Sequence, residues 1–529
     1  MRKFFSYGPV DCEEHFCVPR NELIEQCFEQ LVGNPAKGGH FFTIWSPRQC
    51  GKTWLVRQVK KEIEKRRPDQ FVVAMMSVQG VIMKPDEPEE ALLDRLPLLF
   101  WETFKLEMDQ PPTTFEGFKN LFLKDKGLFD KPLILFIDEF DSLPGIVIDR
   151  LATLFRDMYL KQEIFHLHGL ALIGVRAVLG VDSERGSPFN IQRSLRVPNF
   201  TKEEVDDLFR QYQGESGQRI EPEVVEALYD ATRGQPGLSC WFGELLTEKY
   251  NPGPEKTIDM NQWKQVYSRA CYSEWNNTVL NLIKKVRSGY REHVVELFSH
   301  SDIRFSIDAD WCSHLYLNGV IDKEETVDER GEFVEVCRFS NPFIQFRLYN
   351  ALTRDLIGDR PLTLPLDPLD DLSDVFDGAE LDIPALLERY KAYLNRLKSK
   401  GVNPWKDQPR RTDLGYAESV GHFHLYFWLQ NAVGRRCSVS PEFPTGNGRV
   451  DLHLRCTDRQ AVIEVKSFRN QAELAHSQQQ AAKYARKLRL STITLVVFAP
   501  VEDEDILAKL SGERTIEGIR LHVVAIGWV

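Results

Sequence analysis

No run of about 18 apolar residues occurs anywhere in the 529-residue chain, so no membrane-spanning helix is predicted. The opening MRKFFSYGPV lacks the long apolar stretch and small-residue cleavage site of a secretory leader; the expectation is a cytoplasmic protein with no membrane partner. Cysteine is sparse, ten residues scattered from Cys12 to Cys456 with no C-x-x-C pair, which suggests neither a zinc ribbon nor a disulfide framework. Cys12, His15 and Cys17 come nearest to a metal cluster, but no second half follows, and they are expected to be thiols without a metal. Internal repeats are also lacking.

Positive charge is short overall: 67 Lys and Arg stand against 78 Asp and Glu, a net of −11, which argues against a protein that coats nucleic acid. The shortage is local. Residues 354–382 carry nine acids against two arginines, whereas 383–529 carry 22 Lys and Arg against 15 acids, so the C-terminal part alone has the sign that phosphate backbones require. DNA or RNA is therefore the partner expected at 383–529. At this length, with 42% hydrophobic and 27% charged residues, a soluble multidomain α/β chain is expected.

FFTIW at 41–45 is a short apolar run leading into Ser-Pro-Arg-Gln-Cys-Gly, and WLVRQVKKEIEKR then shows helical spacing with a basic end. Further strand-like runs, LILFI at 133–137 and GLALIGV at 169–175, alternate with helical stretches, predicting a mostly parallel sheet covered on both faces. From Thr201 the pattern turns helical: TKEEVDDLFRQY opens with Thr and a Glu three residues on, and EPEVVEALYDATRG ends at Gly234. Residues 291–350 mix short helices with two strand candidates around Glu329-Arg330-Gly331, which suits a winged helix. The helix DADWCSHLYL there has two acids and no Lys or Arg, so packing as a lid is favoured over reading of DNA. The acidic, proline-containing stretch 354–382 reads as a linker.

Ser46-Pro47-Arg48-Gln49-Cys50-Gly51-Lys52-Thr53 has Walker A spacing, with Ser46 in place of the first glycine. Backbone N–H groups of such a loop and the following helix N-terminus cradle phosphate, Lys52 reaches the β and γ oxygens, and Thr53 ligates Mg²⁺. Ser46, Gln49, Cys50, Gly51, Lys52, Thr53 and Trp54 are the candidate contacts to ATP along this stretch. Leu133–Ile137 followed by Asp138 and Glu139 is the Walker B candidate: Asp138 holds Mg²⁺ through water, Glu139 polarises the attacking water, and Asp141 is expected to be a cap or surface charge. FCVPRNELIEQ, FFTIWSPRQCGKT, LILFIDEFDSL, ALIGVRAV, SPFNIQRSLRVPNFTKEEV and ATRGQPGL together resemble the AAA-like ATPases related to the STAND class. That resemblance covers about residues 1–250. It implies that Arg20 lies near the base, that Gly234-Gln235-Pro236 couples a lid to the nucleotide, and that Arg176 holds a sensor position. It supplies no trans-acting arginine finger, so hydrolysis that depends on a homo-oligomer stays open.

A second constellation lies in the C-terminal part. Gly448–Leu454 and Ala461–Lys466 read as strands of a hairpin, so that Asp451 and Glu464 meet at one metal while Lys466 points to the same face as Glu464. Upstream, the helical DLGYAESVGHFHLYFWLQNAV puts Glu418 on a face with Leu414, Gly421 and Leu425; downstream, HSQQQAAKYARKL puts Gln480 and Tyr484 one turn apart. Glu418, the Asp451…Glu464-Val465-Lys466 core and Gln480-x-x-x-Tyr484 resemble the PD-(D/E)XK nuclease superfamily over about 383–529. The resemblance implies an α/β/α fold and Mg²⁺-dependent phosphodiester cleavage by Glu418, Asp451, Glu464, Lys466 and Gln480, with Asp451 and Glu464 as metal ligands.

The expected organisation is a P-loop ATPase core at 1–200, a helical lid at 201–285, a winged helix at 286–353, an acidic linker at 354–382 and a nuclease-like domain at 383–529. The expected activity is an ATP-binding and hydrolysing switch or motor coupled to nucleic-acid cleavage. Its rival is an ATP-gated signalling protein whose nuclease fold only binds partners.

Overall fold

The computed structural model describes the chain except residues 85–86, 109, 175–193, 300–302, 328–331, 358–370, 378–380, 400–402, 404, 406–413, 434–435, 445–448, 457–458 and 529. The described residues divide into two compact units. Met1–Thr278, His314–Val320 and Ser340–Phe343 form the first; Val279–Ser313, Ile321–Phe339 and Ile344–Val529 form the second.

The first unit is built on a parallel sheet of order β2-β3-β4-β1-β5, with β1 Phe41–Trp45, β2 Val72–Ser77, β3 Leu133–Asp138, β4 Leu167–Gly174 and β5 Ser194–Arg196. Strands β1, β3 and β4 are buried at every position. Burial on both faces is why they read as unbroken apolar runs. The two-residue period sends Ile134 and Phe136 to one face, under α1 (Asn21–Val32) and α2 (Lys52–Arg66), and Leu133, Leu135 and Ile137 to the other, under α3 (Gly145–Leu160). Beyond the sheet come α4 (Lys202–Ser216), α5 (Pro222–Thr232) and α6 (Pro236–Glu244). Thr201 and Glu204 close the expected capping box on α4. Helix α5 ends in two left-handed residues, Arg233 at φ 49° and Gly234 at φ 68°. A Cβ on Gly234 would collide with the Phe200 carbonyl, so only glycine fits this turn.

In the second unit, α7 (Arg291–Ser299) precedes α8 (Asp310–Asn318), whose first turn belongs here and whose last belongs to the first unit. Strands β6 (Ile321–Val327) and β7 (Phe333–Phe339) pair as an antiparallel hairpin and lead to α9 (Pro342–Ile357). The expected turn Glu329-Arg330-Gly331 lies outside the described residues. A mixed six-stranded sheet follows, of order β12-β13-β11-β10-β9-β8. Its strands are β8 Ser438–Pro444, β9 Arg449–Cys456, β10 Arg459–Ser467, β11 Thr492–Ala499, β12 Gly512–Ile516 and β13 Ile519–Gly527. Helices α10 (Ile383–Ser399), α11 (Leu414–Val433), α12 (Gln471–Lys487) and α13 (Glu504–Leu510) accompany it. Ile493, Leu495 and Val497 face α12 and α13, whereas Phe498 on the opposite face lies directly against Gly421 of α11. The sheet is thus covered on both sides.

Three local differences from the sequence expectations have simple causes. The acidic stretch is not linker throughout: residues Ser373–Asp377 form a short helix, anchored by buried Leu372 and Val375 and by an Asp374–Arg389 pair at 2.6 Å. Not all cysteines are single thiols, because Cys12 bonds to Cys17 and Cys437 to Cys456. In the first pair a tight turn, with Glu14 and His15 N–H groups on the Asp11 carbonyl, folds the segment back; in the second, Ser438 opposes Arg455 on adjacent strands, so the flanking cysteines face each other. His15 Nδ1 accepts the Asp11 N–H, and its ring stacks on Phe5. Among the described residues no helix is long and apolar enough to cross a membrane.

Candidate functional sites

Strand β1 delivers the chain into the glycine-lysine loop and α2 takes it away, at the carboxyl end of the sheet where ligands of open α/β sheets bind. Gln49 (φ 59°) and Gly51 (φ 87°) both take left-handed backbone to make this turn, and Ser46 at the place of the missing first glycine is fully buried. Lys52 curls back into the loop, its Nζ donating to the carbonyls of Ser46 at 2.8 Å and Pro47 at 2.9 Å. Burial pushes its ammonium below the usual lysine range, and Cys50, Glu139, Asp141 and Asp138 only partly offset this. Thr53 Oγ1 donates to Asp138 Oδ2 at 2.9 Å, joining the start of α2 to the end of β3. Asp138 Oδ1 accepts the Glu139 N–H at 3.0 Å, and Glu139 itself sits at φ 56°. Burial raises its carboxyl above the usual range, with Asp138 and Asp141 adding to the shift. Asp141 is half-buried against Gly174 at the end of β4, rather than on the open surface.

The start of α6 lands on this loop. Gly237 N–H donates to the Gln49 carbonyl at 3.0 Å, and Gln235 Nε2 donates to the Arg48 carbonyl at 3.1 Å. Pro236, in the first turn between them, has no N–H to lose there. Arg20 donates to the Pro198 carbonyl at 2.7 Å and lies over the Phe200 ring at 4.7 Å. The loop residues Ser46, Gln49, Cys50, Gly51, Lys52 and Thr53 are therefore assembled with Asp138, Glu139 and Pro236. Trp54 instead packs into the core under α1 and donates its Nε1–H to Cys12 Sγ at 3.4 Å. Arg176 lies outside the described residues. From the α8–β6 turn, Gly319 (φ 79°) also approaches the loop: a Cβ on it would come 2.8 Å from Pro47 Cβ.

In the second unit, β9 and β10 form the predicted antiparallel pair, Ile463 opposing Leu452. This register places Asp451 beside Glu464. Asp451 Oδ2 accepts the Val465 N–H at 2.6 Å, and from α11 Glu418 Oε2 accepts the Ser467 N–H at 2.8 Å. Lys466 Nζ lies 3.4 Å from Asp451, 3.6 Å from Glu418 and 3.9 Å from Glu464. Burial lowers its affinity for a proton, but Asp451, Glu418 and Glu464 outweigh that and hold it well above the usual lysine range. Gln480 Nε2 donates to the Tyr484 hydroxyl at 2.9 Å, and burial, with Glu464 next, pushes that phenol up to about 12. Glu418, Asp451, Glu464 and Lys466 thus converge from α11, β9 and β10. Their donor set of three carboxylate groups suits a hard divalent cation with oxygen ligands. In this structure they gather on the ammonium, and among the described residues no three such groups already form a metal cluster.

The sequence reading missed His422, one turn beyond Glu418 on α11. It is 4% exposed, with Nε2 3.1 Å from the Asp451 carbonyl and Nδ1 3.2 Å from the Tyr349 hydroxyl of α9. The i, i+4 spacing from Glu418 was the available signal, and the histidine passed as part of an apolar face.

No protein-family model matches the chain, and no curated protein matches its sequence. Similar solved structures include the Walker-type ATPase Paby2304 of Pyrococcus abyssi, at 17% identity and TM-score 0.45 over 65% of this chain and 99% of that one. The Aeropyrum pernix ORC1 protein in complex with DNA is 16% identical, at TM-score 0.32 over 64% and 94% of the two chains. The Thermotoga maritima RuvB Holliday junction branch migration motor is 16% identical, at 0.33 over 60% and 92%.

Proposed function

We propose that the chain binds and hydrolyses ATP in its first unit, and that this nucleotide cycle governs Mg²⁺-dependent cleavage of DNA or RNA in its second. What carries the reading is the convergence of Glu418, Asp451, Glu464 and Lys466 from three elements, in a chain that also joins Thr53 to Asp138 beside a glycine-lysine loop.

In the ATP site, Lys52 exchanges its two loop carbonyls for the β and γ phosphate oxygens, and the N–H groups of Gly51 to Trp54 point at the anion from the helix start. Thr53 and Asp138 hold Mg²⁺, and Glu139 orients the attacking water, its raised carboxyl pKa making it a better proton acceptor once ionised. Gln49 and Pro236 keep the lid helix on the loop, and Arg20 braces the segment at Pro198 and Phe200 on the base side.

In the cleavage site, Asp451 and Glu464 hold Mg²⁺, with Glu418 as a further acidic neighbour. When bound, the ion lowers the pKa of water and polarises the scissile phosphate. Lys466 is displaced toward the nucleophile and the developing negative charge, and Gln480 with Tyr484 positions the phosphate side of the substrate. The positive excess of 383–529 supplies the attraction to the backbone.

The test is to incubate the purified chain with Mg²⁺, with and without ATP, on single- and double-stranded DNA and RNA while measuring phosphate release. Cleavage dependent on Mg²⁺ and altered by ATP is expected. ATP turnover with no cleavage of any substrate would leave an ATP-gated binding protein.

A further inference from the structure

We infer that His422, locked by Tyr349, is a positioning residue for Asp451, so that the helix after the β6–β7 hairpin takes part in building the cleavage site. The inference rests on the metal-ligand reading of Asp451 proposed above.

The hydrogen-bond inventory fixes the roles. A peptide carbonyl only accepts, so at 3.1 Å from the Asp451 oxygen it is His422 Nε2 that carries the proton and donates. In a neutral imidazole Nδ1 is then an acceptor, and the Tyr349 hydroxyl at 3.2 Å is its donor. Burial of both side chains, His422 at 4% and Tyr349 at 0% exposure, disfavours the charged ring that would reverse the second bond. One tautomer and one ring orientation result. Aromatic packing holds them: Tyr349 lies 4.4 Å from Phe423 and 4.6 Å from Tyr426, ring centre to ring centre, both on α11.

Asp451 is consequently gripped at both ends, its carboxylate by the Val465 N–H and the Lys466 ammonium and its peptide carbonyl by His422. Asp451 is the third residue of β9: the register with β10 ends just past it at Leu452–Ile463, and its neighbours Val450 and Leu452, rather than Asp451 itself, are in register with β8, paired with Phe443 and Pro441. Glu418 stands one turn before His422 on the same helix face, so α11 delivers a carboxylate and the clamp on its neighbour together. Groups that orient metal ligands in this way govern metal affinity and activity by about 10- to 100-fold.

The experiment compares full-length wild type with His422→Leu, His422→Gln and Tyr349→Phe. Mn²⁺ binding is titrated by calorimetry, beside kcat and KM for cleavage and the ATPase rate. His422→Leu is expected to weaken Mn²⁺ binding about tenfold and to lower kcat for cleavage similarly, with KM and ATP hydrolysis unchanged. His422→Gln keeps an N–H donor and an acceptor and should restore binding to within about threefold of wild type. Tyr349→Phe removes one oxygen and should fall between the two. Wild-type Mn²⁺ affinity in His422→Leu or in Tyr349→Phe overturns the inference alone, as does a glutamine variant no better than leucine. A wild type that binds no Mn²⁺ overturns the metal-site reading, and the inference with it.

Discussion

Gly237→Ala tests whether α6 rests on the glycine-lysine loop in the way its two hydrogen bonds indicate. Elsewhere in a helix, alanine is favoured over glycine by about 1 kcal/mol. At Gly237 the added Cβ would stand 2.6 Å from Gln49 Cβ and 2.7 Å from Gln49 Oε1. Gln49 cannot easily retreat, because its backbone is already held left-handed at φ 59° and its Nε2 donates to the Ser6 carbonyl at 2.9 Å. Overpacking of this kind costs about 1–3 kcal/mol, and separating the Gly237 N–H from the Gln49 carbonyl costs about 0.5–1.5 kcal/mol more. The propensity gain is smaller than their sum, so destabilisation by about 1–3 kcal/mol is expected. Gly214, in α4 with open space around its Cβ position, is the control: Gly214→Ala should raise stability by up to about 1 kcal/mol. Thermal melting and calorimetric ATP titration on both variants supply the measurement. Gly237→Ala should melt a few degrees lower and bind ATP about tenfold more weakly, while Gly214→Ala melts higher with unchanged affinity. If both variants melt above wild type and bind ATP equally well, α6 does not bear on the loop and the reasoning fails.

Lys52→Ala removes the ammonium that bridges Ser46 and Pro47 and should weaken ATP binding at least about tenfold in the same titration, without loss of secondary structure by circular dichroism. Glu139 has a raised carboxyl pKa, so its ionised form costs the nucleotide-free fold stability from the ordinary glutamate range upward. Glu139→Gln should therefore melt higher than wild type at neutral pH while phosphate release is lost; a lower melting temperature would contradict the sign of that shift. Asp451→Ala should abolish cleavage and weaken Mn²⁺ binding, whereas Lys466→Met, which leaves three carboxylates without their cation, should abolish cleavage and strengthen Mn²⁺ binding several-fold. Equal Mn²⁺ affinities in these two variants would show that the ion does not bind where Lys466 now sits.

The strand–loop–helix around Gly51 and Lys52 was legible because its signal is local: FFTIW, the glycine-lysine loop and the start of α2 lie within a few residues of one another, and β1 has the predicted bounds. Asp138 and Glu139 were legible from an apolar run ending in acids. Strand β2 was not, because its alternate half-buried positions resemble neither a buried run nor a clean alternation, and β5 is only three residues long and exists through its pairing with β1. In the second unit the hairpin could be read from two apolar strands around a turn, and with it Asp451, Glu464 and Lys466. His422 offered only its i, i+4 spacing from Glu418, and Tyr349 offered nothing, since the pairing that joins them spans 73 residues of chain. The Cys437–Cys456 bond was hidden for the same reason: strand register, rather than spacing along the chain, brings the two together.

The acidic stretch 354–382 looks like a seam where a C-terminal domain could be cut from one protein and fused to another, but the packing of the second unit denies it that use. Phe298 of α7 and Tyr349 of α9, both upstream of the stretch, sit against Phe423 of α11, downstream of it, with ring centres 5.7 and 4.4 Å away. All three rings are at most 1% exposed, and each contributes about 1.5–3 kcal/mol by leaving water. A fragment starting at 383 would turn that interior into a sticky aromatic surface, and a chain nicked within the stretch would hold together as two non-covalently joined pieces. The second unit accordingly takes in Val279–Ser313 and Ile321–Phe339 as well as Ile344–Val529, so 383–529 is not a module that can be lifted out on its own.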